Sequence, residues 1–274
     1  MRYLLWSGVF ILTLLATVTA FGQTFVEKIL FAAAPDSRSQ TDGDDAPPHE
    51  AVTLTTSDGV SIVAWYFENP NARNIILYSH GNGGNVYHWS ARVAELCRRF
   101  PVSVLMYDYR GYGQSGGTPT IAGIREDART ARDWLCQRTG RKPNELVYYG
   151  RSLGGGVAVD LAAETGAQGL VVESSFASIR DMVRKIVPLL PMPTGWLVRT
   201  DLNSLENIQR YDGPLLQSHG DADQLIPFEQ ALRVFEAATG PKQWVTIPHG
   251  GHNTPQTEAF FETLGRFLED IAKN

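Results

Sequence analysis

Cysteine is nearly absent from this chain: Cys97 and Cys136 are the only two in 274 residues. Two thiols cannot build a disulfide scaffold. Both lie in stretches of helical spacing that a parallel α/β arrangement sets on opposite faces of its sheet. A bond between them is not expected, because bridging needs Cα atoms within about 7 Å. An excess of positive charge is also missing. The 24 Lys and Arg against 29 Asp and Glu leave a formal charge of -5, which argues against nucleic acid, whose binding calls for a basic face. Residues 51 to 274 hold no repeat and no low-complexity tract. With 43% hydrophobic residues, the chain has enough to bury one large α/β core.

A long apolar run occurs only at the start. Residues 3 to 21, YLLWSGVFILTLLATVTAF, carry no charge and follow Arg2. At about 1.5 Å of rise per residue, such a run nearly crosses a hydrocarbon core of roughly 30 Å. A secretory signal has a shorter apolar region, about 7 to 15 residues. Val18-Thr19-Ala20 would serve as a cleavage site, so secretion after cleavage is the alternative, but the length favours an uncleaved anchor. Arg2 holds the N-terminus in the cytoplasm and sends the rest of the chain outside it. No cysteine lies near the run to take a lipid. The stretch PDSRSQTDGDDAPPHE that follows is polar, acidic and proline-rich, the composition of a linker. The expected organisation is an anchor or signal peptide over 1–24, a disordered linker over 25–50, and one domain over 51–274.

In that domain, strand and helix patterns alternate. Val52 to Thr55 and Ser61 to Phe67 flank Ser57-Asp58-Gly59 and predict a hairpin. Strands are expected at 74–79, 102–107, 145–149, 169–173, 214–218 and 243–247. Helices are expected at 86–100, 121–138, 153–164, 228–238 and 257–273. Strands separated by helices imply a parallel sheet covered on both faces, with right-handed crossovers and ligands at the carboxyl ends of the strands. The expectation is eight strands, mostly parallel, mixed at the hairpin edge.

Gly150-Arg151-Ser152-Leu153-Gly154 is a G-x-S-x-G element between the strand ELVYY and the helix LGGGVAVDLAAE. This strand-turn-helix setting is what a nucleophile elbow requires. The pattern alone arises by chance in roughly one chain of this length in ten; the setting is what makes it informative. A serine hydroxyl needs a base, itself oriented by an acid, and in this architecture they follow in the order serine, acid, histidine. His219-Gly220-Asp221-Ala222-Asp223 follows the strand PLLQS. Asp221 and Asp223 compete. Asp223, further out on the loop, is favoured; Asp221 suits a turn. His249-Gly250-Gly251-His252-Asn253 follows the last strand. Here His252 at the loop tip is favoured over His249, which follows Pro248. Ser79-His80-Gly81-Asn82-Gly83-Gly84-Asn85 follows the strand NIILYS. It suits an oxyanion hole, with the N–H groups of Asn82 and Leu153 as donors. His80, at the strand end, suits loop bracing. No lysine follows this loop, so it does not read as a P-loop.

SHGNGGN, DYRGYGQSGG, GRSLGG, VVESSF, HGDADQLIP and GGHN together resemble the α/β-hydrolase superfamily, and within it the BEM46-like branch, similar to serine aminopeptidase-like hydrolases and membrane-associated thioesterases. The resemblance spans about 51 to 274. It implies an α/β-hydrolase fold, Ser152, Asp223 and His252 as the triad, Asn82 and Leu153 as oxyanion donors, and a structural loop over Asp108 to Gly116. Residues 177 to 213 hold Met182, Ile186, Val187, Leu189, Leu190, Met192, Trp196 and Leu197, with Pro188, Pro191 and Pro193 breaking helices. They read as a short apolar lid, or as ordinary packing on the sheet face. The expected activity is hydrolysis of a carboxylic ester or thioester by a monomeric enzyme acting on a small-molecule or acylated substrate. Amide hydrolysis and a non-catalytic binding module on the same fold are the alternatives. No metal or organic cofactor is expected.

Overall fold

The computed structural model describes residues 22–31, 48–186, 198 and 200–273. The apolar run 3–21, most of the acidic stretch, and the apolar lid residues from Val187 to Leu197 lie outside the described residues.

The hairpin forms as the turn chemistry predicts. Strand β1 (Glu50–Thr55) pairs antiparallel with β2 (Ser61–Phe67), and Gly59 supplies the left-handed turn residue at φ 83°. The remaining strands are β3 (Asn74–Ser79), β4 (Val102–Tyr107), β5 (Val147–Arg151), β6 (Gly169–Glu173), β7 (Leu215–Gly220) and β8 (Lys242–Ile247). They make one eight-stranded sheet in the order β1-β2-β4-β3-β5-β6-β7-β8. β2 meets β4 antiparallel, and every pairing from β4 to β8 is parallel. From β3 the chain steps one way to β4 and then back across to β5, so the topological switch point lies between β3 and β5. Loops diverge there, which opens a crevice at the strands' carboxyl ends. β7 begins at Leu215 rather than Pro214, since proline has no N–H for the ladder, and runs on through His219 and Gly220.

Strand residues alternate between two cores, as a pleat of period two requires. Leu77, Leu105, Tyr107, Tyr148, Leu170 and Val172 face one. Ile76, Tyr78, Met106, Tyr149 and Val171 face the other. Helices α3 (Ile121–Thr139) and α4 (Leu153–Thr165) cover the first face; α2 (Val86–Arg99) and α8 (Glu258–Ile271) cover the second. Cys97 packs on the α2 side and Cys136 on the α3 side, and both are free. Each full burial of a side chain such as Phe260 or Ile124 stabilises by about 1.5–3 kcal/mol. Helix starts are capped locally. Asn85 accepts from the His88 amide at 3.2 Å, Thr120 from Gly123 at 2.9 Å and Thr257 from Phe260 at 3.2 Å, each satisfying an amide left over by the first turn.

Two stretches differ from expectation or qualify it. Residues 22–30, split between the expected anchor and linker, form a helix, α1, and Val26 and Phe31 are buried in the α3-side core. The linker therefore does not begin at residue 25. The polar residues 23, 24, 27 and 28 mask the apolar spacing of Val26, Leu30 and Phe31. Within the expected lid, α5 (Ile179–Ile186) and α6 (Ser204–Asn207) are described, and Met182 packs against the α3-side core, so for that residue the packing reading holds. Helix α7 (Phe228–Ala237) follows β7. No helix among the described residues is long and apolar enough to cross a membrane.

Candidate active site

Ser152 stands between β5 and α4 with φ 54° and ψ -116°, outside the regions that L-residues ordinarily occupy, at a cost on the order of 1–3 kcal/mol. Two glycines make the turn possible. A Cβ on Gly150 would lie 2.0 Å from the Gly154 carbonyl oxygen, and one on Gly154 would lie 1.9 Å from the Ser79 carbonyl oxygen. Further bonds fix the turn. The Ser152 amide donates to Glu173 O at 2.8 Å, and Ser175 Oγ donates to Ser152 O at 2.8 Å. The hydroxyl is lifted at the amino end of α4, where the helix dipole favours negative charge.

The three residues expected as a triad come together. His252 Nε2 lies 3.0 Å from Ser152 Oγ, and His252 Nδ1 lies 2.8 Å from Asp223 Oδ2. A carboxylate only accepts, so Nδ1 carries the hydrogen and Nε2 is left to accept from the hydroxyl. Asp223 Oδ1 accepts from the amides of Leu225 and Ile226, both at 2.9 Å. Burial pushes the Asp223 carboxyl up, but hydrogen bonds from His219 and His252, with the Ile226 amide, hold it below the usual carboxylate range. His219 Nε2 donates to Ile226 O at 2.9 Å and lies 3.3 Å from Asp223 Oδ2, so it braces the loop. The competitors point elsewhere: Asp221 and His249 are exposed, and His249 has φ 55°.

This meeting is not automatic. β8 stands three strand positions from β5, about 14 Å at 4.8 Å per spacing. The loop carrying His252 must reach back across the sheet edge. Arg151, the residue before the serine, holds it there: Nη2 donates to His252 O at 2.5 Å and to Asn253 Oδ1 at 3.3 Å. Its guanidinium sits 5.3 Å from the Trp89 ring centre. Sequence reasoning missed Arg151, because the position is free in the G-x-S-x-G pattern. It also missed Glu173, inside the stretch VVESSF. This carboxylate is wholly buried at the end of β6 and accepts from Arg92 and Tyr149. Burial pushes it up, yet the Arg92 charge and these bonds bring it below the usual range.

Asn82 and Leu153 lie on either side of the switch-point crevice, after β3 and after the serine. Among the described residues neither backbone N–H has a backbone acceptor, and Leu153, as the first residue of α4, has none within the helix. Asn82 is held through its side chain: Tyr112 donates to its Oδ1 at 2.5 Å, and its Nδ2 donates to Leu30 O at 2.5 Å. His80 is buried against Asp108, with Nδ1 donating to Gly81 O at 2.7 Å. Its ring partners are the Gly81 carbonyl and Asp108, so it braces the loop. His88 belongs to the cap of α2, and His49 stacks on Trp65. Among the described residues no cluster of His, Cys, Asp and Glu could hold a metal.

Comparison with known proteins matches residues 70–203 to the family described as "Serine aminopeptidase, S33". An uncharacterized Mycobacterium tuberculosis protein is 32% identical over 231 residues, covering 82% of this chain and 81% of that one. An uncharacterized membrane protein of Saccharomyces cerevisiae is 28% identical over 96% of this chain and 94% of its own. Protein bem46 of Schizosaccharomyces pombe is 28% identical over 81% and 77%. Among solved structures, the Pyrococcus furiosus esterase Pf2001 superposes with a TM-score of 0.69, covering 86% of this chain and 97% of that one at 22% identity, a likeness of fold.

Proposed function

The chain belongs to the serine aminopeptidase S33 family of α/β-hydrolases, alongside bem46, and on that premise we propose that it cleaves a carboxylic ester or thioester through an acyl-enzyme on Ser152. The observation that carries this reading is the unbroken line from Ser152 Oγ through the His252 ring to Asp223, at 3.0 and 2.8 Å. His252 Nε2 takes the hydroxyl proton as Oγ attacks the acyl carbon. Asp223 keeps the ring in the tautomer this needs and stabilises the imidazolium. The amides of Asn82 and Leu153 receive the carbonyl oxygen as it becomes negative, each worth roughly 3–4 kcal/mol in the transition state. His252 then returns the proton to the departing alkoxide or thiolate, and the C–O or C–S bond breaks. Water, deprotonated by the same nitrogen, releases the acid and restores Oγ–H. Nothing in this sequence of steps calls for a cofactor.

A fluorophosphonate probe is expected to label the wild type and not Ser152→Ala. Equal labelling of the variant would remove Ser152 from the scheme. The family description favours a second reading, hydrolysis of an aminoacyl amide by the same groups. Turnover of aminoacyl p-nitroanilides in preference to p-nitrophenyl esters would select it. An absence of labelling and of turnover on both would favour a binding module.

The catalytic domain is further proposed to be held at a membrane by residues 3–21, facing away from the cytoplasm. The apolar length of that run and the membrane relative in yeast support this. Recovery of the full chain in the soluble fraction of cells would oppose it.

A further inference from the structure

We propose that helix α1, the first described segment after the apolar run, is a working part of the oxyanion site rather than a spacer. This rests on the hydrolase reading above and concerns what holds Asn82 in place.

The last carbonyls of a helix have no partner inside it. In α1 one of these, on Leu30, accepts from the Asn82 side chain. The other end of that amide accepts from Tyr112, so Asn82 is gripped at both polar ends while its backbone N–H is left for substrate. The grip is only as firm as the helix, and α1 is seated at several points. Val26 and Phe31 are buried in the core that also holds Leu153 and Tyr112. Glu27 accepts from the Ile121 amide at 3.0 Å, capping the start of α3. Gln23 accepts from the Thr200 amide at 3.2 Å, on the returning arm of the lid region. Three distant parts of the chain are tied through α1: the oxyanion loop, α3 and the lid arm. Asn82 and Tyr112 act as positioning residues, and α1 is the post they are fixed to. One consequence concerns processing. Cleavage after Ala20 would leave α1 intact, so the site would survive either fate of the leader.

The test uses the full chain. Asn82→Ala removes the grip but keeps the backbone N–H, and Val26→Ala with Phe31→Ala unseats the helix without touching the loop. For each variant, kcat and KM on a p-nitrophenyl ester are measured per active site titrated with fluorophosphonate. Both are expected to lose about ten- to hundredfold in kcat, the scale of a misplacement near 1 Å, with KM within twofold. Combining them should lose no more than the worse of the two, because they act through one contact. Asn82→Gln is expected to recover part of the loss. The proposal is overturned if kcat per titrated site stays within twofold in either variant, or if the losses multiply in the combined variant. A wild type that neither labels nor turns over ester would instead overturn the hydrolase reading.

Discussion

Gly154→Ala tests the elbow and the proposed oxyanion loop together. A Cβ at this position would sit 1.9 Å from Ser79 O, 2.4 Å from Ser79 C and 2.5 Å from His80 O. All three atoms are backbone, so no side chain can swing away. Even a bare 3.0 Å contact needs about 1.1 Å of movement, and β3 or the elbow must supply it. Either way the separation between the Asn82 amide and Ser152 changes by a similar amount. Misplacement near 1 Å costs about 10²-fold in rate, and complete loss of one oxyanion donor costs about 10²–10³-fold. Overpacking adds roughly 1–3 kcal/mol of destabilisation. At about 2–4 °C per kcal/mol for a domain of this size, the melting temperature should fall by roughly 2–12 °C. The assay is kcat/KM on a p-nitrophenyl ester per titrated active site, paired with thermal melting. Gly83→Ala in the same loop is the control, since its Cβ would meet nothing within 4 Å. The reasoning is refuted if Gly154→Ala matches wild type in both measurements, or if Gly83→Ala loses as much.

Asp223→Asn should lower kcat/KM on the order of 10⁴-fold by releasing the His252 tautomer, read on the same ester. Because the folded carboxyl of Asp223 lies below its unfolded value of about 3.9, its stabilisation is complete above that pH and is lost as pH falls below it. The gap in melting temperature between wild type and Asp223→Asn should therefore narrow from pH 5 to pH 2; a constant gap would contradict this. Arg151→Ala removes a charge-assisted bond to His252 O, worth about 1.5–3 kcal/mol. It should cost roughly ten- to hundredfold in kcat, and an unchanged kcat would show that the loop holds its place unaided. Arg92→Ala leaves Glu173 buried without its counter-charge, a loss of about 3–5 kcal/mol. The urea midpoint should drop and recover in part with Glu173→Gln; an unmoved midpoint would refute the pairing.

The sheet was readable because its signals are local: short apolar strands, helices of 3.6 spacing, and glycines where loops tighten. The strands' carboxyl ends were readable for the same reason, since each motif follows its strand directly. Helix α1 was not. Nine residues make a marginal helix alone, and this one is held by contacts with distant parts of the chain: the burial of Val26 and Phe31, the bonds of Gln23 and Glu27 to the Thr200 and Ile121 amides, and the Asn82 side chain on Leu30 O. Nothing in its own sequence announces those partners. Arg151 escaped for a related reason: what it holds is a carbonyl 101 residues away, and a carbonyl has no residue type to recognise. The choices between Asp221 and Asp223, and between His249 and His252, depended on loop position; in the structure Asp223 and His252 lie within hydrogen-bond reach of each other, while Asp221 and His249 are exposed.

The hydroxyl and the imidazole have very different mechanical footings. Ser152 follows β5, flanked by β3 and β6 in the middle of the sheet, while His252 hangs on an arm from β8, a rim strand with half of its residues exposed. Warming loosens rims before centres. The proposed base should therefore wander off station while the core is still whole, so that activity fades, and returns on cooling, well below the temperature at which the domain unfolds.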